Sequence, residues 1–246
     1  MTEVCLLAGR TARSVAYAQA LRNREMKISS AVVFGGAGVT DISRPAGRGA
    51  GSYKDRPLFI PDLDESLDDV IHEIAEQVTY IEADDVNQPA MADFFTGRSN
   101  TLIVYSGYGG QIVGAPLINV GLPLLHIHAG WLPQFRGSTT IYYEMLAHGV
   151  CSASALLLTA GIDEGPVVAR KRFSPPPDNL DIDYLYDPAI RADLLCDVLE
   201  GLAKTGSVGE PMEQKHDEAQ TYYIIHPLLK HLAILGNSSK TKSKST

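Results

Sequence analysis

Three runs in this chain are apolar at consecutive rather than alternate positions: "VCLLAG" from Val4, "TLIVYSG" from Thr101 and "LPLLHIH" from Leu122. A strand that is apolar on both sides has to be covered on both sides, and a parallel sheet packed between helices meets that condition. The segments between the runs agree. "ARSVAYAQALRNRE" from Ala12 carries apolar residues near helical spacing. "SLDDVIHEIAEQV" reads as a second helix with Ser66 as its N-cap, and "QPAMADFFTG" as a short helix closed by Gly97. "ISSAVVFGG" from Ile28 and "VTYIEA" from Val78 add two more strands. The alternation predicts the α/β class, a Rossmann-like, mostly parallel sheet flanked by helices.

The second half predicts a cover for that sheet. "STTIYYEMLAHG" is a helix capped by Gly149, and "SASALLLT" and "PVVARKRF" form an antiparallel pair about the turn "AGIDEG". "DPAIRADLLCDVLEGLAKTG" is a long helix, with Pro188 near its start and Gly206 past its end. "TYYIIHPLLKHLAIL" closes a helical C-terminal cover and offers enough apolar surface for a homodimer. Residues 1–235 are expected to form a single domain and 236–246 a disordered basic tail.

Composition narrows the partners. With 246 residues and a formal net charge of −8, the chain lacks the basic surface of a sequence-independent nucleic-acid binder. No apolar run approaches the roughly 20 residues needed to cross a bilayer. "MTEVCLLAGR" reads as a first strand, not a signal peptide. Cys5, Cys151 and Cys196 are odd in number and widely spaced, which argues against a disulfide framework. The expectation is a soluble cytoplasmic protein with a small-molecule substrate and no nucleic-acid or membrane partner.

Ligands of open α/β sheets lie beyond the carboxyl ends of the strands. Those ends are "LLAGR", "VFGGAG", "VYSGYGGQ", "LLHIHAG" and the "AGIDEG" turn; none is a dinucleotide fingerprint or a P-loop. The richest is "LPLLHIHAGWLPQFRG". His126 and His128 are two apart in a strand and therefore share a face. Three roles are open to them. They can bind a metal with Asp163 as third ligand, as a hydrolytic zinc requires; they can handle protons and oxyanions; or they can simply pack.

The segment H-x-H-A-G-x-L-P-x-F-R-G resembles the signature of folate-dependent formyltransferases, Asn-x-His-x-Ser-x-Leu-Pro-x-aromatic-Arg-Gly. "GIDEGPVV" downstream and "SGYGGQIV" upstream are similar to two further stretches of that family, in the same order, over Leu102 to Arg170. The resemblance implies a single formyltransferase-like catalytic domain, closest in size to small-molecule and amino-sugar N-formyltransferases. It implies 10-formyltetrahydrofolate as co-substrate, with no metal. His128 stands at the family's histidine and Asp163 at its aspartate. His126 replaces the asparagine that donates to the formyl oxygen. Gly110, Gln111, Ile112 and Val113, with Thr159, Ala160, Gly161, Ile162 and Gly165, would line the pterin.

A neutral imidazole also offers one donor and one acceptor, so His126 can inherit the asparagine's role, worth about 2.7–4 kcal/mol where such donors have been removed. If both histidines became cationic they would titrate as a coupled pair, and activity would fall on the acid side. For the acceptor, Arg44 and Arg48, with Lys54 and Arg56, lie in a glycine-rich loop suited to a carboxylate or phosphate. Arg136, Tyr222 and Tyr223 are further candidates. The remaining C-terminal length leaves no room for a tRNA-binding domain. The reading is therefore formyl transfer to a small primary amine, an amino sugar for surface glycans or an amino acid. A formyltetrahydrofolate hydrolase and a metal-dependent hydrolase on His126, His128 and Asp163 are the alternatives.

Overall fold

The computed structural model describes residues 2–35 and 58–242. A seven-stranded sheet has the order β3-β2-β1-β4-β5-β7-β8. Its parallel part is β1 (Glu3–Gly9), β2 (Ile28–Phe34), β3 (Ala75–Ile81), β4 (Thr101–Ser106) and β5 (Leu124–Ala129). β7 (Cys151–Leu157) joins β5 antiparallel, and β8 (Val167–Phe173) joins β7 in the same sense. This is the expected α/β class, with the expected antiparallel pair at one edge.

Both faces of the sheet are covered, as the doubly apolar strands require. Leu6, Val33, Val104 and Ile127 pack under α1 (Ala12–Asn23), α2 (Leu67–Ile74) and α6 (Asp187–Thr205). Cys5, Leu7, Phe34 and Ile103 pack on the opposite side with Met91 and Phe95 of α3 (Pro89–Phe95) and Leu117 of α4 (Ala115–Ile118). The chain crosses to opposite sides after β1 and after β4, which are neighbours in the sheet. Their carboxyl ends therefore flank the crevice where such sheets bind ligands.

Two boundaries differ from the sequence reading. The helix expected over 66–78 stops at Ile74, and its last residues start β3, since Ala75, Gln77 and Val78 pair with Ile28, Ser30 and Ala31. Ladder pairing outcompetes helical propensity there because Val78 and Ile81 pack on the sheet when extended. The final helix α7 (Pro227–Lys242) continues beyond Leu235, into the stretch read as a disordered tail. Once the apolar part has nucleated a helix, each added residue extends it at little cost. Leu228, Leu232 and Leu235 of α7 are exposed. No helix among the described residues is long and apolar enough to cross a membrane.

A two-strand pair, β6 (Arg136–Gly137) with β9 (Thr221–Tyr222), ties the segment after β5 to the C-terminal part. Gly137 has φ +96°, and a Cβ there would lie 2.1 Å from the Tyr222 carbonyl oxygen. Gly137→Ala is expected to cost about 3 kcal/mol, lowering the melting temperature by about 10 °C. Calorimetry of the two proteins checks it, and equal melting temperatures contradict it.

Candidate active site

His126 and His128 occupy alternate positions of β5, opposite Tyr105 of β4 and Ser154 of β7 respectively. The strand delivers both rings to one face at its carboxyl end, as their spacing predicts. The Arg191 guanidinium of α6 holds this strand in place. It donates to the carbonyl of Ile127, between the two histidines, at 2.7 Å, and grips Asp187 at 2.7 and 3.1 Å.

His128 is only 3% exposed. A carbonyl can only accept, so the 2.7 Å contact with Phe135 O places the ring proton on Nε2. The Thr140 hydroxyl donates to the Ala129 carbonyl and lies 3.3 Å from the same nitrogen. Nδ1 then carries a lone pair, and it faces Asp163 Oδ2 at 3.4 Å. Gly130 makes this arrangement possible. Its φ is +141°, and a Cβ there would come within 2.9 Å of Phe135 O and 3.0 Å of His128 Nε2.

Asp163 sits in left-handed backbone, φ +53°, which costs a non-glycine residue about 1 kcal/mol or more. The conformation is held from several sides. Oδ2 accepts the Gly137 N–H at 2.9 Å, and Gln214 Nε2 donates to the Asp163 carbonyl at 2.8 Å. The same Gln214 amide donates to Gly165 O at 2.7 Å and accepts from Arg136 at 3.0 and 3.2 Å. Arg136 is 3% exposed, and Glu164 lies 3.6 Å away. The arginine expected to meet substrate is committed to fixing the Asp163 turn. Gln214 is a positioning residue that sequence reading missed, for it sits alone in a polar stretch with no motif around it.

Burial pushes the Asp163 carboxyl up, but the two histidines and the Gly137 N–H outweigh it and hold it below the usual carboxylate range. Burial lowers the His128 pKa. Burial lowers that of His126 to about 3, helped by the fields of Arg13 and Arg191. Both imidazoles are thus neutral at physiological pH. The acid-side protonation expected of the pair is thereby moved to lower pH, since a cation beside two arginines is costly. An anion faces a bare ring nitrogen at 3.4 Å, longer than a charge-assisted hydrogen bond. The pair is one proton short, which makes it a built-in proton acceptor.

The Nδ1 of His126 lies 3.4 Å from the carbonyl of Tyr105 and serves as donor to it, leaving Nε2 as a lone-pair acceptor without a protein partner among the described residues. The role expected for His126, donation to an oxyanion, is therefore reversed in this tautomer: it can accept an N–H and orient an attacking amine. The Tyr105 ring lies 5.9 Å from that imidazole, and its hydroxyl donates to Gln111 Oε1 at 3.0 Å.

The other expected residues divide between ligand-facing and structural. Ile112 and Ile162 are 56% and 53% exposed, unusual for isoleucine, and sit on the two loops that flank the histidines. Gly110, Thr159 and Ala160 are exposed, Gly161 is half-buried, and Val113 and Gly165 are buried in support of those loops. Tyr222 stacks on Phe135 at 5.4 Å and lies 4.5 Å from Tyr143, a packing role. Tyr223 is 80% exposed. Arg44, Arg48, Lys54 and Arg56 lie outside the described residues. Among the described residues no three His, Cys, Asp or Glu side chains are arranged to hold a metal.

No protein-family model matches the chain. A methionyl-tRNA formyltransferase of Chloroflexus aurantiacus is 30% identical over 184 residues, 74% of this chain and 54% of that protein. The chain thus spans about half the length of the curated relatives it matches. Among solved structures, a sugar N-formyltransferase from Shewanella sp. superposes with a TM-score of 0.55 at 14% identity, over 95% of this chain and 87% of that one. An N-formyltransferase from Helicobacter canadensis, solved in complex with folinic acid and dTDP-3-aminofucose, gives 0.55 at 12% identity, over 91% and 71%. These two structures show a shared overall fold.

Proposed function

We propose that this chain is a member of the formyltransferase family and moves the formyl group of 10-formyltetrahydrofolate onto the primary amine of a small acceptor, an amino sugar or an amino acid. The observation that carries the reading is the His128–Asp163 pair, a neutral imidazole nitrogen and a carboxylate 3.4 Å apart with no proton between them. An amine that attacks a formyl carbon becomes cationic and must lose a proton. That pair accepts it, the resulting imidazolium sits against a carboxylate, and the proton passes to N10 of the folate as the C–N10 bond breaks and tetrahydrofolate leaves. His126 Nε2 orients the amine by accepting one of its N–H bonds. Ile112 and Ile162 supply the apolar contacts expected for a pterin, and the 159–165 turn and Gly110 supply main-chain polar groups. A water in place of the amine gives the hydrolase, with formate as product.

A thermal-stability titration with 5-formyltetrahydrofolate tests the donor site. At 100 times its dissociation constant a ligand stabilises by about 2.7 kcal/mol, roughly 5–10 °C for a chain of this size. Ile112→Asp, at an exposed position, is expected to abolish the shift while leaving the melting temperature of the free protein unchanged. No shift at saturation in the unsubstituted protein contradicts the reading.

A further inference from the structure

Arg13 is the second residue of α1, just after β1 and beside the crevice between β1 and β4. It keeps partial access to solvent. Among the described residues its guanidinium has no hydrogen bond and no ion pair, although it carries five N–H donors. The nearby acids are already engaged. Asp187 is chelated by Arg191, and Asp163 accepts from Gly137 and faces His128. A second donor in the same place is also unsatisfied. Tyr17, four residues on and on the same face of α1, is fully buried, and its hydroxyl has no partner among the described residues. Arg13 and Arg191 each act electrostatically on Tyr17 and on His126. Two cations and an orphan hydroxyl thus gather near His126, with no free anion among them.

A cation held inside a protein without a partner is costly, and protein interiors satisfy such groups or dispense with them. This one stands at the carboxyl end of the sheet, near His126, and what it lacks is an anion. We propose that Arg13 anchors an oxyanion on the acceptor, a carboxylate or phosphate a few bonds from the nucleophilic amine. The inference rests on the formyl-transfer reading and narrows it: an acceptor of amino-acid or amino-phosphate type suits the site, and a neutral amino sugar does not. The planar fork matches either oxyanion through two parallel N–H bonds. An oxyanion seated there also offsets the positive field around His126, so the acceptor itself makes that ring a better proton acceptor.

The test is a thermal-stability titration with sodium acetate and with sodium phosphate, each against sodium chloride at equal ionic strength, on the unsubstituted protein, Arg13→Met and Arg13→Lys. Acetate or phosphate is expected to raise the melting temperature by about 5 °C near saturation in the unsubstituted protein. The gain is lost in Arg13→Met and partly kept in Arg13→Lys. Whichever anion gives the larger shift identifies the source of the charge. Free Arg13→Met is itself expected to melt about 3 °C higher, because a partly buried unpaired cation has gone. Equal anion shifts in the unsubstituted protein and Arg13→Met, or no shift in either, overturn the inference. A 5-formyltetrahydrofolate titration of the unsubstituted protein separates the two claims. Folate binding without an Arg13-dependent anion shift removes only the anion site, and the converse removes only the folate donor.

Discussion

His128→Ala is expected to lower formyl transfer about 10³-fold while leaving folate binding within a few-fold of the unsubstituted protein. The size follows from what the ring does. General-base assistance contributes about 10²–10⁴-fold, and here the ring also holds the proton beside the carboxylate that stabilises it. Among the described residues nothing else near Asp163 can replace it: His126 is held neutral to about pH 3 by burial and two arginines, and so is a weak base. Asp163→Asn leaves the imidazole in place but removes the anion that receives the charge, and a loss of about 10²-fold is expected. His128→Asn, similar in size to the polar end of the ring, separates chemistry from packing. If it folds normally and retains more than a tenth of the activity, the base role assigned to His128 fails. Steady-state rates with saturating donor, together with donor titrations, check all three.

The second large effect concerns acid stability. His126 titrates near pH 3 in the folded chain and near 6.5 when unfolded. Between those values the unfolded chain binds a proton that the folded chain does not, so stability falls as the pH drops from about 6.5 toward 3. At pH 4 the loss from this one ring is about 3 kcal/mol. His128, lowered by the same burial, adds to it in the same direction, as does Asp163 at still lower pH. His126→Asn removes the first contribution. Denaturant melts at pH 7 and pH 4 are expected to show the unsubstituted protein losing about 3 kcal/mol more than the variant. Parallel losses would mean that His126 is protonated in the folded state, and the neutral-imidazole account would fall with it.

Much of this was legible in the chain because hydrophobic pattern and short-range spacing carry it. Runs apolar on both faces specify a covered parallel sheet, and two histidines at alternate strand positions must share a face. Asp163 was visible in its glycine-bounded turn, and its pairing with His128 only through the motif. The shortened second helix was not legible, because Ala75 to Val78 suit helix or strand equally until β2 is there to pair with them. Arg136 misled for a related reason. A lone arginine in a loop gives no sign of whether its partner is a ligand or Gln214, 78 residues away. Arg13 left one trace, a charge inside the otherwise apolar start of α1, and its lack of a partner is visible only in three dimensions. Arg191 was hidden in the same way: Asp187 four residues earlier reads as an ordinary surface pair on a helix.

The central claim is that the formyl carbon of a reduced folate passes through this site. It is tested most directly by supplying 10-formyltetrahydrofolate with ¹³C in the formyl group, together with a panel of carboxylated, phosphorylated and neutral amines. Mass spectrometry then follows the label. The account predicts labelled N-formyl product on an anionic amine, tetrahydrofolate released in equal amount, and loss of both in His128→Asn. Label recovered as formate, at the same rate with or without any amine, would contradict transfer and leave a hydrolase. Label remaining on the folate, in a protein that binds it, would contradict catalysis of either kind.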